Sequence, residues 1–206
     1  MLNQGETLKR LLRRVKAADG AITDLREEGA DGIVSLLALF VGAGGFVLHG
    51  ANRTDGPPIL EPRQANDLFR QAGNRRGVYA SVDWIQVLLH ALLARSYLQA
   101  RLGSVVVGYR RIGQAHQLRV TPELFRLLSE RDPELWSPGL VYVLRRSVFE
   151  PPAPGGSEFF SPEPVAAEAR LLVGAHLKGV VIGDADGALD HVTTYDPEEL
   201  QAFRGR

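Results

Sequence analysis

A chain of 206 residues, 45% of them hydrophobic, can bury one ordinary core, and a single domain over 1–206 is expected. Lys plus Arg and Asp plus Glu both number 24, so no global field draws the protein to nucleic acid or an anionic membrane, and any such contact needs a local patch. The absence of cysteine removes disulfides, thiolate catalysis and Cys-ligated zinc, and it fits a reducing cytoplasm.

Taken in order, Thr7 to Lys16 carries Leu8, Leu11, Leu12 and Val15 at helical spacing, with Lys9, Arg10, Arg13, Arg14 and Lys16 around the rest. This predicts an amphipathic basic helix ending at Asp19-Gly20. Its charge from the first turns onward is unlike the apolar core of a signal peptide. Asp31 reads as the N-cap of a buried helix through Phe40, stopped by the Gly42 to Gly45 cluster. The apolar run Ile33 to Val41 is too short to cross a bilayer, so a soluble, cytoplasmic protein without a membrane partner is expected. Residues 1–44 then form a helical N-terminal segment, and 45–206 form the core.

Gly45 to Gly50 opens the core as a strand that ends on His49 and Gly50. Arg53 to Pro58 is loop chemistry, Ile59 to Arg63 a short extended piece, and a polar loop around Asn66, Asp67, Asn74 and Arg75 follows. Gly77 to Ser81 reads as a second strand, and Asp83 as the cap of a helix from Trp84 to Gln99. Ser104 to Arg111 and His116 to Val120 predict a hairpin, and Thr121-Pro122 a capped short helix over Leu124 to Glu130. Leu140 to Arg145 is a further strand, and Phe149 to Gly156 an exposed Pro/Gly loop. Ser157 to Ser161, Ala169 to Val173 and His176 to Ile182 read as short strands, and Asp196-Pro197-Glu198 starts a last helix. Helices first, then mostly antiparallel strands, predict an α+β fold.

Familiar catalytic signatures are missing: no Gly-x-Ser-x-Gly elbow, Walker A loop or His-Glu-x-x-His occurs, and five scattered histidines give no metal spacing. No metal is expected. Gly42-Ala43-Gly44-Gly45 precedes a strand and so is a weak phosphate loop. Asp184, Asp186 and Asp190 lack the ligand spacing of a calcium loop and read as a turn.

Three segments remain: Leu48-His49-Gly50, Gly77-Val78-Tyr79-Ala80-Ser81 and Ser157-Glu158-Phe159-Phe160, with gaps of 30 and 79 residues between His49, Tyr79 and Glu158. In order and kind they resemble the core of ADP-ribosyltransferases of the diphtheria toxin and poly(ADP-ribose) polymerase class. The resemblance implies a split β-sheet core and NAD as substrate, cleaved at the nicotinamide–ribose bond, with ADP-ribose passing to a protein or nucleic-acid acceptor or to water, in a toxin-like or stress role. It makes His49 a ribose ligand, Gly50 a main-chain partner of the carboxamide, Tyr79 a stacking platform and Glu158 the carboxylate that steadies the oxocarbenium-like transition state. His90 stands where the class has a second tyrosine, eleven residues after the first, and Ala51 where it has Ser or Thr, a loss that Asn52 or Arg53 compensates. Gly156 leaves no second acid or amide before Glu158, so the acceptor stays open. Two other readings stand beside this one: a non-catalytic nucleotide- or protein-binding member, and transfer of an RNA 2′-phosphate to NAD using Arg53, Arg63 and Arg76.

Overall fold

The computed structural model describes residues 4–64, 75–103, 107–112, 115–152, 157–183, 189 and 191–204. Its helices are α1 (Gln4–Ala17), α2 (Ala30–Gly42), α3 (Trp84–Leu92), α4 (Arg95–Leu102), α5 (Pro122–Ser129), α6 (Lys178–Ile182) and α7 (Pro197–Arg204). The strands are β1 (Ile22–Asp24), β2 (Phe46–Ala51), β3 (Ile59–Leu60), β4 (Arg63–Gln64), β5 (Arg76–Ser81), β6 (Val107–Ile112), β7 (Ala115–Val120), β8 (Gly139–Arg145), β9 (Glu158–Ser161), β10 (Val165–Val173) and β11 (Val192–Thr194). The architecture is α+β with sheets of mixed strand orientation. The main sheet runs β1-β10-β8-β2-β5-β4, with β9 also on β5 and β3 on β10, and a smaller sheet runs β11-β7-β6.

Strand alternation decides which layer each side chain joins. On β2, Leu48 enters the large cluster between the sheet and helices α1, α2, α3 and α6, whereas Val47 enters a second cluster with Val78, Ala80, Tyr142, Leu144 and Phe159 on the opposite face. β8 is buried along six of its seven residues because both faces are covered. The helical layer lies against the sheet chiefly through α3. A Cβ on Gly50 would sit 2.1 Å from the Val87 carbonyl oxygen, and one on Gly139 would sit 1.9 Å from that of Ala91. Backbone therefore meets backbone at two adjacent strands, and only glycine permits it.

Several expectations are corrected. The helix expected over Trp84 to Gln99 is two helices. Leu93 is extended and bridges Trp136, while the Ala94 N–H donates to Leu135 O at 2.9 Å and Ser137 N–H to Leu92 O at 3.0 Å, so tertiary pairing overrides a sequence that contains no helix breaker. His176 to Ile182 is a 3₁₀ turn running into α6, ended by Gly183 in the left-handed conformation at φ 73°, and Leu177, Val181 and Ile182 are buried against the main core. The cap of α2 is Gly29, with Asp31 inside the first turn. The N-terminal segment is not purely helical, since β1 adds a strand parallel to β10. β11, also parallel to its neighbour β7, was not anticipated. Asp83 and Thr121 do cap their helices, accepting from Ile85 N and Leu124 N. The turns expected around 113–114, 153–156 and 184–190 fall largely outside the described residues, as does most of the polar loop after Gln64.

Replacing Gly139 by Ala forces the α3 backbone off β8 and should cost about 1–3 kcal/mol or more. Gly45→Ala, where an added Cβ meets nothing within 4 Å, should be nearly neutral. Urea unfolding of both variants checks this; equal stabilities would refute the seating of α3 on glycine.

Candidate functional site

The His49, Tyr79 and Glu158 segments lie on three neighbouring strands. β2 pairs antiparallel with β5 and β5 with β9, and Leu48, Ser81 and Glu158 form one row across them. Two strand spacings, about 10 Å, separate the backbones at the ends of that row. Leu48↔Ser81 is the one register pair of β2 with β5, so the strands part beyond it. The His49 ring bridges this seam to Tyr79 O, and Gly50 beside it lies against α3.

His49 closes the seam from the β2 side. Its Nδ1 lies 2.7 Å from Tyr79 O, and because a carbonyl only accepts, Nδ1 carries the proton and Nε2 keeps its lone pair. Its ring meets Tyr142 edge-on at 5.9 Å on the face of the second cluster. Burial lowers the pKa of His49 despite the bond to Tyr79, and the charges of Arg63 and Arg95 lower it further. His90, in the last turn of α3, is pushed down to about 3 by burial, then by Arg95 and by His49. The Arg95 guanidinium donates to His90 Nδ1, leaving the His90 proton on Nε2. Two neutral imidazoles with opposite tautomers thus face a region whose charges are arginines. Arg95 is exposed at the rim, and burial of part of it lowers its own pKa.

Glu158 projects to the α3 side of the sheet, as alternation requires. Gln86 Nε2 donates to its Oε1 at 3.4 Å, while the Gln86 carbonyl accepts from Ser81 Oγ at 3.1 Å and Ser157 Oγ at 3.4 Å. The amide of Gln86 is thereby oriented with its donor toward the carboxylate. Tyr79 shares that face, but its hydroxyl donates to Arg75 O at 2.9 Å and accepts from Arg75 N at 3.1 Å, and its ring lies edge-on to Phe160 at 5.3 Å. The Arg75 guanidinium covers Phe160 and pairs with Glu150.

The remaining expected ligands have structural partners. Asn52 donates to Ala91 O and Ser137 Oγ, both at 2.9 Å, and so pins the end of α3. Arg53 pairs with Asp55 within its own loop. Gly50 is glycine because α3 lies on it, which is a packing reason in addition to any ligand contact. Strand alternation thus puts Tyr79 and Glu158 on the α3 side of the sheet and His49 on the opposite side, where its ring reaches Tyr79 O between the strands; His90 lies near enough to His49 for their charges to interact, Asn52 is engaged with Ala91 and Ser137, and Arg53 with its own loop.

Gln86, Ser81, Ser157, Arg63 and Arg95 complete the surroundings. Ser81 and Ser157 carried a sequence signal as parts of the Tyr79 and Glu158 segments, and Arg63 as a candidate phosphate ligand; Gln86 and Arg95 acquire their meaning from the position of α3. On the other side of the α3 N-terminus, buried Asp83 accepts from Tyr109 Oη at 2.6 Å and pairs with Arg111 at 3.4 Å, so burial and then this bond raise the Tyr109 pKa. Among the described residues no group of three or more His, Cys, Asp or Glu side chains could hold a metal, and no helix is long and apolar enough to cross a membrane. Comparison with models of known protein families, with characterised proteins and with solved structures finds no match.

The lowered pKa of His90 has a defined consequence. Below pH 6.5, its ordinary value, the unfolded chain takes up a proton that the folded chain refuses until about pH 3, so stability falls as the pH drops through that window. His49 acts in the same direction. Urea midpoints should decline from pH 7 to pH 4, and His90→Gln should flatten the decline. A His90 ring titrating near 6.5 in an NMR pH series would contradict the assignment.

Proposed function

We propose that the protein is an NAD-consuming enzyme that splits the nicotinamide–ribose bond and passes ADP-ribose to a macromolecular acceptor or to water. The observation that carries this reading is the order of the sheet: the His49 strand lies beside the Tyr79 strand, which lies beside the Glu158 strand, with a seam opening between the first two. The split-sheet core implied by the resemblance to ADP-ribosyltransferases belongs to the same proposal.

In this reading the dinucleotide lies along the seam. Arg63 and Arg95, whose charges act on His49, face its pyrophosphate, and neither makes an ion pair among the described residues. The lone pair of His49 Nε2 accepts from a ribose hydroxyl. Neutral His90 can lie against the cationic nicotinamide ring without like-charge repulsion, and the Tyr79 ring forms the other wall. The Glu158 carboxylate, oriented by Gln86, accepts from the ribose 2′-hydroxyl and stabilises the positive charge that grows on the ribose. The C1′–N bond breaks with its electron pair going to nicotinamide, and the acceptor oxygen or nitrogen adds to C1′ and gives up its proton to solvent. A cytoplasmic, toxin-like role is part of the proposal.

A second reading, a nucleotide- or protein-binding module without turnover, draws on Gly50 and Asn52, which are both engaged in holding α3. Incubation with NAD and detection of free nicotinamide separates the two. Wild type should release nicotinamide, Glu158→Gln should lose roughly 100-fold or more, and His49→Ala should lose a smaller factor. Release that Glu158→Gln leaves intact would refute the role of Glu158, and no release from wild type would sink the enzymatic reading in favour of the module.

A further inference from the structure

On the face of the main sheet opposite α3, one row of side chains is polar in an otherwise apolar layer. His49 on β2 pairs in register with Tyr142 on β8, and Tyr142 pairs in register with Arg170 on β10. Residues paired in this way share a face, and the layer around them is built of Val47, Leu140, Leu144 and Leu172. Packing against such neighbours asks for apolar side chains, so it does not account for an imidazole, a phenol and a guanidinium in one row.

Tyr142 is fully buried, yet its hydroxyl has no hydrogen-bond partner among the described residues. A buried orphan of this kind lowers stability, and Phe would fill the same space without that cost. Burial raises the Tyr142 pKa, so at neutral pH the group is a proton donor. Gly56 covers it, so closely that a Cβ there would lie 2.0 Å from the hydroxyl oxygen.

Gly56 belongs to a largely exposed strap with an anchor at each end. Asn52 is bonded to Ala91 O and Ser137 Oγ at one end, and Pro58 O accepts from Ala167 N at 2.8 Å at the other. Between the anchors, the tie to the sheet among the described residues is one bond, from Arg170 Nη1 to Gly56 O at 2.5 Å, while Arg53 and Asp55 pair with each other inside the strap. The Arg170 guanidinium is oriented independently of the strap, because Gly20 O accepts from its Nε at 3.1 Å and its Nη2 at 2.6 Å. Its Nη1 edge, beside the Tyr142 hydroxyl, is the part that a neutral carbonyl occupies.

We propose that the strap is a lid over a binding site for a small sugar phosphate. When it lifts, the phosphoryl group takes the place of Gly56 O on Arg170 Nη1 and accepts from the Tyr142 hydroxyl, and the lone pair of His49 Nε2 accepts from a sugar hydroxyl. The charges that act on the Tyr142 hydroxyl are those of Arg53, Arg170, Asp55 and Arg63, three guanidinium groups against one carboxylate. That excess matches the dianion of a phosphate monoester near neutral pH. A charged acceptor shared by both donors binds more strongly than a carbonyl that takes one of them. Tyr142 and Arg170 have no part in NAD cleavage at the seam, so binding here is independent of turnover there.

Protein-observed NMR titration with ribose 5-phosphate tests the site, with ribose and inorganic phosphate as further arms. Ribose 5-phosphate should shift the amides of Arg53, Asp55 and Gly56 saturably, with a Kd below roughly 1 mM. Ribose should not bind, and inorganic phosphate should bind more weakly than the ester. Tyr142→Phe should lose about tenfold in affinity while its thermal midpoint stays at or above that of wild type, a combination that a purely structural tyrosine does not give. Gly56→Ala, whose Cβ lifts the strap off the hydroxyl, should bind more tightly than wild type because the closed state competes less. Arg146→Gln, which removes an exposed charge elsewhere, should bind as wild type does. No saturable shift, ribose or inorganic phosphate equal to the ester, shifts confined to His90 and Arg95, or an unchanged Kd in Tyr142→Phe would each overturn the site. If Gly56→Ala fails to fold, the Tyr142→Phe result decides.

Discussion

The seating of α3 on the sheet is the contact on which the rest of the molecule depends. At Gly50 and Gly139 the helix backbone touches the strand backbone, with no side chain between them. Such close approach leaves the helix little freedom to slide or roll, because any displacement drives carbonyl oxygens into Cα atoms. Asn52 ties its last turn through Ala91 O, and Asp83 caps its first turn through Ile85 N. Every polar side chain that α3 presents inherits that registration. Gln86 reaches Glu158, and His90 reaches the neighbourhood of His49 and Arg95.

The same seating sets two carboxylates in unlike surroundings on either side of the α3 N-terminus. Asp83 is buried and saturated by a backbone amide, Tyr109 and Arg111, which suits a structural joint between the main sheet and the β6–β7 hairpin. Glu158 is only partly buried and accepts from the neutral donor of Gln86. Across the seam the histidines are kept neutral by desolvation and by arginines, so that region favours an anion without offering an acidic proton.

Much of the fold was legible in the residues, and the errors share a cause. The strands read at Gly45–Gly50 and Gly77–Ser81, and the helix starts read from capping chemistry at Asp83 and Thr121, rest on local signals and appear close to where they were expected, although the helix begun at Asp83 ends at Leu92. The break after Leu92 and the helix at Lys178–Ile182 carry no local signal. The first comes from the pairing of Leu93 with Trp136, and the second from the burial of Val181 and Ile182 against the helical layer, which overrides the strand preference of a β-branched run. β1 is three residues long and exists because β10 offers a free edge. For the candidate site, the residue types and order of His49, Tyr79 and Glu158 were readable, whereas the tether of the Tyr79 hydroxyl to Arg75, the use of Asn52 by Ala91 and the orientation of Gln86 were not.

By itself the sequence determined an α+β chain without cysteine chemistry, the capped starts of α3 and α5, and the strands that carry His49, Tyr79 and Glu158, because each of these follows from composition or from neighbours a few residues apart. Only the tertiary structure decided which of those residues face one another. Strand order brings segments 30 and 79 residues apart in the sequence into adjacent rows, and two glycine contacts fix the helix that orients the side chains between them. Those are long-range contacts, and no local pattern encodes the partner of a side chain that is met only when distant strands pair.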